Sequence, residues 1–289
     1  MRKILTLALL CLSCTSEQEV LKTWPPLTFP TFAPEIVEEE SQVSFVLSSF
    51  ETKYEYKGSF KSRAANIELA ARLLNDFVLK PNEEFSFNEL VGPRTEDTGF
   101  KEAPIYFDGV KTQGMGGGVC QVSSTLYATA MLGHLLVTQR TAHTRPSSYI
   151  PRGLDATVSY PDLDLKIVNT YDVELTIIAT AESGILRIYL LGRKRDFEAT
   201  YRFYGHKILP YEKRTITRSY QRRDPFLHQK GRDGMPGRTV WYYKYPDRTE
   251  KVVVSSKYKP VDEVWYAGPN TEEDDDDTGR RNESTHSGS

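Results

Sequence analysis

The sequence predicts an α+β fold: a mixed helix and antiparallel-sheet domain followed by a small all-β domain. Three observations predict it. Two segments carry apolar residues at helical spacing, Ile67, Ala70, Ala71, Leu74 and Phe77 in one and Val119, Val122, Leu126 and Ala130 in the other. Between Ala156 and Leu191 the pattern turns to alternating β-branched and aliphatic residues broken by turn signals, and beyond Arg193 only short aromatic and β-branched runs remain. A chain of 289 residues with 39% hydrophobic content has ample material for such a core.

Taken in order, Arg2 and Lys3 ahead of the apolar run Ile4 to Leu12 read as a signal peptide, too short to span a bilayer. Cleavage before Cys14, with the small Ser13 preceding it, would leave a lipid-modifiable cysteine at the end of a lipoprotein-type signal of residues 1–14. Cys11 stands where such signals usually carry leucine. Pro25, Pro26, Pro30, Pro34 and the run Glu38 to Glu40 make residues 15–40 a solvated tether. The first domain is expected over residues 41–195. It opens with strands around Val43, Phe45, Leu47, Tyr54 and Tyr56, followed by the first helix, with Arg63 and Asn66 near its start and Pro81 preventing its continuation. Phe85-Ser-Phe-Asn88 and Val91-Gly-Pro-Arg-Thr95 read as a short strand and a tight turn. A connecting segment then leads to Gly114, where a glycine loop enters the second helix, which extends to about Val137. The stretch His143 to Asp155, stiffened by Pro146, Pro151 and Gly153, is an irregular loop. Val158, Leu163, Leu165, Ile167 and Val168, then Leu175 to Ile178, then Ile185 to Leu190 form a meander with turns at Asn169 to Asp172 and Glu182 to Gly184. Residues 196–269 form the second, β-rich domain, and residues 270–289, with four aspartates at Asp274 to Asp277, an acidic disordered tail.

The chemistry concentrates at Cys120. Of three cysteines two lie in the export signal, so Cys120 is the one free thiol expected in the mature protein. Gly116, Gly117 and Gly118 precede it and place it in the first turn of a helix, where unpaired N–H groups and the positive end of the dipole stabilise a thiolate. The same glycines let backbone N–H groups near Gly118 to Gln121 face a developing oxyanion. His143 is the best candidate base, and a cysteine–histidine pair needs no metal or other cofactor. One cysteine and one histidine fall short of a zinc set, and His134 reads as a packed or helix-terminal residue. Arg94 is able to take a carboxylate as a planar fork, with a structural or surface arginine as the plainer alternative. A net charge of -2 and the lack of a basic stripe argue against nucleic acid as a partner.

From the helix Arg63 to Leu74, Phe85-Ser-Phe-Asn88, Val91-Gly-Pro-Arg-Thr95, Gly116-Gly-Gly-Val-Cys-Gln-Val-Ser-Ser-Thr-Leu-Tyr127, and His143-Thr-Arg-Pro146 with Tyr149, Pro151, Gly153 and Asp155-Ala-Thr-Val158, the chain resembles the VanW family of bacterial envelope proteins. The resemblance covers about residues 60 to 193, and residues from about Phe197 to Gly268 look like the five-glycine domain that accompanies such domains, with several expected glycines hard to place. Some VanW members are regarded as L,D-transpeptidases that cross-link peptidoglycan through a cysteine. Carried over, the resemblance implies Cys120 as nucleophile and His143 as base. Asp155 would orient the histidine as the third member of a triad, and Arg94, Arg145, Tyr149 and Arg152 are candidates for substrate binding. The implied partners are peptidoglycan stem peptides, glycan through the second domain, and a membrane through the lipid on Cys14. The implied location is the bacterial envelope, outer membrane included. The alternative is a non-catalytic wall-binding lipoprotein in which Cys120 only packs and the aromatics of the second domain stack on sugar rings.

Overall fold

The computed structural model describes residues 45–107, 110–217 and 225–267. The expected signal peptide, Cys14, the tether and the acidic tail lie outside them. The elements in order are β1 (Phe45–Lys53), α1 (Lys61–Leu74), β2 (Phe77–Leu79), β3 (Glu84–Ser86), α2 (Phe87–Val91), β4 (Glu102–Phe107), β5 (Val110–Met115), α3 (Val119–Leu132), β6 (Leu136–Gln139), β7 (Lys166–Val168), β8 (Leu175–Glu182) and β9 (Ile185–Gly192). Then come β10 (Glu198–Gly205), β11 (Lys213–Thr217), β12 (Phe226–Gln229), β13 (Gly237–Lys244), β14 (Thr249–Ser256) and β15 (Glu263–Ala267). Helices on antiparallel sheets make this an α+β architecture, richer in strand than in helix.

A four-stranded antiparallel sheet, ordered β1-β9-β8-β2, is the platform. Period-two alternation buries Leu175, Ile177 and Ala179 from β8 and Leu186, Ile188 and Leu190 from β9 on one face. α1 and α3 cover that face and also touch each other. The β8–β9 turn lies where expected, with Ser183 and Gly184 at positive φ.

α3 is buried on nearly every side, which its apolar spacing alone does not foretell. Gln121, Ser123, Ser124, Thr125 and Thr129 are all buried, and each finds a partner. Thr125 and Thr129 donate back to the carbonyls of Gln121 and Thr125, at 2.7 and 2.8 Å, and Ser48 Oγ donates to Thr129 O at 2.7 Å. Such satisfaction is what allows a helix this polar to sit inside a core.

Several local expectations differ from the structure. Phe77 is not on the first helix: Asn75 leaves helical geometry at ψ 139 and Asp76 takes φ 63, so Phe77 enters β2 and pairs with Ile177. Asn88 lies in the one-turn helix α2, which Ser86 caps by accepting from Glu89 N–H at 3.1 Å. The connecting segment contains the hairpin β4–β5. The second helix ends at Leu132, and Leu136 to Gln139 form β6, in a small sheet ordered β3-β7-β6. Val158, Leu163 and Leu165 fall outside named strands. There Asp164 accepts hydrogen bonds from Ser86 Oγ at 2.6 Å and the Asn88 and Leu165 N–H groups at 2.9 and 2.8 Å, drawing the chain into a compact loop.

Beyond residue 195 the strands form two three-stranded sheets, β10-β13-β14 and β11-β15-β12. Trp241 and Tyr243 of β13 are fully buried and belong to the same continuous apolar cluster as α3 and β9. Tyr243 donates its hydroxyl to Met131 O at 2.7 Å, capping the far end of α3.

Candidate active site

The site begins with the glycine loop. Gly118 holds φ 112 as the residue before α3, a conformation that side chains with Cβ rarely take. Asn66, from the middle of α1, donates to Gly117 O at 3.0 Å and Lys101 O at 2.9 Å and accepts from Lys101 N–H at 2.8 Å. A Cβ on Gly117 would stand 2.8 Å from Pro104 O and 2.9 Å from Ala103 O, both main-chain atoms. The loop is thereby clamped between α1 and β4, and Cys120 emerges in the first turn of α3.

Two serines of α3 bring the loop that carries His143 and Asp155 to the sulfur. Ser123 Oγ donates to Ala156 O at 2.7 Å, and Ser124 Oγ accepts from Ala156 N–H at 3.0 Å while donating to Cys120 O at 2.6 Å. With Ala156 fixed, Val158 O lies 3.3 Å from Cys120 Sγ and Asp155 points back toward His143. Asp155 Oδ2 accepts from the His143 backbone N–H at 2.6 Å and from the ring Nδ1 at 2.8 Å. An ionised carboxylate only accepts, so Nδ1 carries the proton and Nε2 is left to the thiol. His143 is near enough to Cys120 to act on the thiol by hydrogen bonding and by charge, while the contact resolved at the sulfur itself is with Val158 O. Cys120, His143 and Asp155 are thus brought together.

Asp155 is buried and held from every side. Arg140 donates through Nη2 to Oδ1 at 3.2 Å and through Nε to Asp155 O at 2.7 Å, and its guanidinium lies 5.0 Å from the centre of the Tyr127 ring. The Tyr258 hydroxyl donates to Oδ1 and accepts from Gly153 N–H at 2.5 Å. Burial pushes the Asp155 carboxyl up, but the His143 hydrogen bond and charge, Arg140 and Tyr258 outweigh it and hold the group below its usual value.

Burial likewise pushes the Cys120 thiol up, and the hydrogen bond and charge of His143, the Val158 backbone and the Arg94 charge reverse this, so the net shift is downward. For His143 burial acts to lower the pKa, and Tyr149, the Asp155 hydrogen bond and Cys120 carry it well above 6.5. Burial holds Tyr149's own pKa up, so its phenol is neutral at neutral pH. The charges that keep His143 protonated are therefore Asp155 and the thiolate. Together these shifts favour a thiolate–imidazolium pair on a residue that remains partly accessible.

The expected residues separate by role. Tyr149 stands at the centre: its hydroxyl donates to Cys120 O at 3.2 Å and its ring meets His143 edge-on at 6.4 Å. Arg94 acts on the sulfur by its charge. Arg145 and Arg152 share the His143 loop, but the charges that weigh most on Cys120 are those of His143 and Arg94. Gln121 was expected to offer its amide to an oxyanion. That N–H already bonds Gly118 O at 2.9 Å, and the side chain is committed to Arg63, Thr52 and Lys53 at 2.7, 2.9 and 2.9 Å. Gly116 N–H bonds Lys101 O at 3.2 Å and Val119 N–H bonds Gly116 O at 3.1 Å, whereas the N–H groups of Gly117, Gly118 and Cys120 meet no partner among the described residues and are the donors left for an oxyanion. Sequence reasoning missed Arg140, Tyr258 and the role of Arg63, whose guanidinium fixes Gln121 beside the nucleophile. Arg63 was visible at the start of the helix, but nothing near Tyr258 in the sequence signals a contact with Asp155. Among the described residues no group of three or more His, Cys, Asp or Glu is placed to hold a metal.

This region, residues 62–191, matches the family described as VanW like protein. This stretch is similar to VanW domains. It is 44% identical over 135 residues to the uncharacterized protein YoaR of Bacillus subtilis (strain 168), a match covering 47% of this chain and 45% of that protein. It is 35% identical over 127 residues to the vancomycin B-type resistance protein VanW of Enterococcus faecalis (strain ATCC 700802 / V583), covering 42% of this chain and 46% of that protein. The chain thus spans less than half the length of either relative. The matched stretch contains Cys120, His143, Asp155 and the glycine loop, whereas Tyr258, which supports Asp155, lies outside the match.

Proposed function

We propose that the chain is a peptidoglycan-acting cysteine acyltransferase of the bacterial envelope, an L,D-transpeptidase that forms cross-links through a Cys120 thioester. The observation that carries this reading is the Cys120–His143–Asp155 relay at the entrance of α3, with the sulfur partly accessible. The relative named for vancomycin resistance supports a role at the cell wall.

The thiolate attacks the carbonyl carbon of the third residue of a stem peptide, and the Cys120 N–H faces the oxyanion. As the C–N bond breaks, His143 Nε2 gives its proton to the departing amine and the acyl group remains on sulfur as a thioester. A second stem's amine then attacks, its proton passes to Nε2, the C–S bond breaks, and the thiolate–imidazolium pair returns. Asp155 holds the ring orientation throughout. No redox partner enters the balance. The membrane anchor through Cys14 places the site at the wall in this reading.

Purified protein given muropeptides yields dimers detectable by mass spectrometry. Dimers formed equally well by Cys120→Ala would end the thiol mechanism. The alternative, a wall-binding lipoprotein with an inert thiol, rests on the aromatic-rich second domain and the membrane tether; of those aromatics Trp241 and Tyr243 are buried, while Tyr204, Tyr242 and Trp265 are partly accessible. Rapid alkylation of native Cys120 by iodoacetamide at neutral pH separates the two readings.

A further inference from the structure

Around the sulfur stand the cations Arg63, Arg94, Arg140 and His143 and the anions Asp155, Asp164 and the Cys120 thiolate, and their partners are unevenly shared. Arg140 is bound to Asp155 and His143 lies between Asp155 and Cys120. Arg63 is anchored on Gln121. Asp164 is satisfied by Ser86, Asn88 and Leu165. Arg94 alone in this set has both terminal nitrogens, Nη1 and Nη2, buried without a hydrogen-bond partner. Its plane is held by two aromatic rings, Phe87 at 5.6 Å and Tyr160 at 6.0 Å, which stabilise the cation but occupy neither nitrogen.

A buried guanidinium with idle donors is costly, and such a group is retained where a ligand completes it. Arg94's place is built for it. Gly116, at φ 74, leaves the space its stem fills, because a Cβ there would stand 2.8 Å from Arg94 Cβ and Cγ. Tyr160, which screens the guanidinium, is 47% exposed on the short turn closed by Ser159 and Leu163.

We propose that Arg94 is the binding site for the free α-carboxylate of the acyl-donor peptide, the one carried by the residue that departs when Cys120 is acylated, with Tyr160 as its movable cover. This rests on the acyl-transfer reading for the identity of the donor. The two free nitrogens match a carboxylate bidentately, and the consecutive Cα atoms of donor and leaving residue are only about 3.8 Å apart, so a group beside the sulfur is in reach. The consequence is specificity for a peptide that ends one residue past the attacked carbonyl. A longer or amidated end presents no carboxylate there.

The test measures binding separately from turnover. In Cys120→Ala, a stem-type tetrapeptide with a free terminal carboxylate binds about 10-fold or more tightly than its carboxamide by calorimetry. In Cys120→Ala with Arg94→Met the two bind alike, and with Arg94→Lys, which keeps charge but not the fork, the preference is partly retained. An unchanged preference in the folded Arg94→Met protein overturns the proposal. If that variant does not fold, an unchanged preference with Arg94→Lys does so instead. Wild-type protein that discriminates in binding yet forms no thioester or dimer refutes acyl transfer and leaves the carboxylate site standing. Transfer that is equally fast from acid and amide removes the site and leaves acyl transfer intact.

Discussion

At Cys120 burial and the surrounding charges pull in opposite directions, and the outcome sets the pH range in which the residue reacts. Its pKa is lowered and that of His143 raised, so the reactive pair exists between an acid limb below the ordinary thiol value and a basic limb above the ordinary imidazole value. The rate of iodoacetamide labelling against pH should show the acid limb below pH 8.5, the value of a free thiol. Asp155→Asn removes the charge that holds His143 protonated, so the basic limb of the turnover profile should move toward acid and activity should fall. That change also leaves Arg140 without its buried anion, and breaking such a pair costs about 3–5 kcal/mol, read as a lower denaturant midpoint. The folded pKa of Asp155 is depressed, so its stabilising contribution is present above the unfolded value near pH 3.9 and is lost as pH falls through the folded one. For His143, whose folded pKa is raised, the contribution is complete below about pH 6.5 and is lost as pH rises through the folded value. The wild-type advantage over Asp155→Asn should therefore shrink at strongly acid pH.

At the scale of elements, the glycine loop is shaped as much by what crowds it as by any ligand. Gly117→Ala would force a methyl against two main-chain oxygens, with an expected loss of about 1–3 kcal/mol in thermal or denaturant unfolding and a drop in turnover, because Cys120 shifts with the loop. Of the expected meander, β7 pairs instead with β3 and β6, whereas the helical spacing, the β8–β9 hairpin and the meeting of Cys120, His143, Tyr149 and Asp155 were legible in the sequence. They rest on local periodicity or on the motifs that carry the family resemblance. Phe77 was misassigned because apolar spacing continued past Asn75 and Asp76, whose backbone ends the helix. The all-round burial of α3 was hidden because its polar side chains are satisfied by partners far away in sequence, Thr52 and Ala156 among them. Tyr258 was missed for the same reason, its contact with Asp155 spanning 103 positions; Arg140 lies only 15 positions from Asp155, but no motif around it marks the pair.

Across the whole molecule, the apolar cluster is continuous from α1 and α3 to Phe197, Ala199, Trp241 and Tyr243. A single cooperative transition is therefore expected in calorimetry, and a fragment of residues 41–195 should melt lower than the full chain, having lost the cover over Met131 and the hydroxyl on Asp155. Tyr258→Phe isolates the second loss. Removing one hydrogen bond to a buried carboxylate should lower stability by about 1.5–3 kcal/mol and weaken catalysis through the His143 orientation, with the fold retained by circular dichroism.

The reach of Tyr258 also bears on biogenesis. A ribosome completes the nucleophile, the base and the acid long before it adds the phenol that secures the acid. The contact that secures Asp155 therefore waits on a residue 103 positions further along the chain and forms only when that later segment docks.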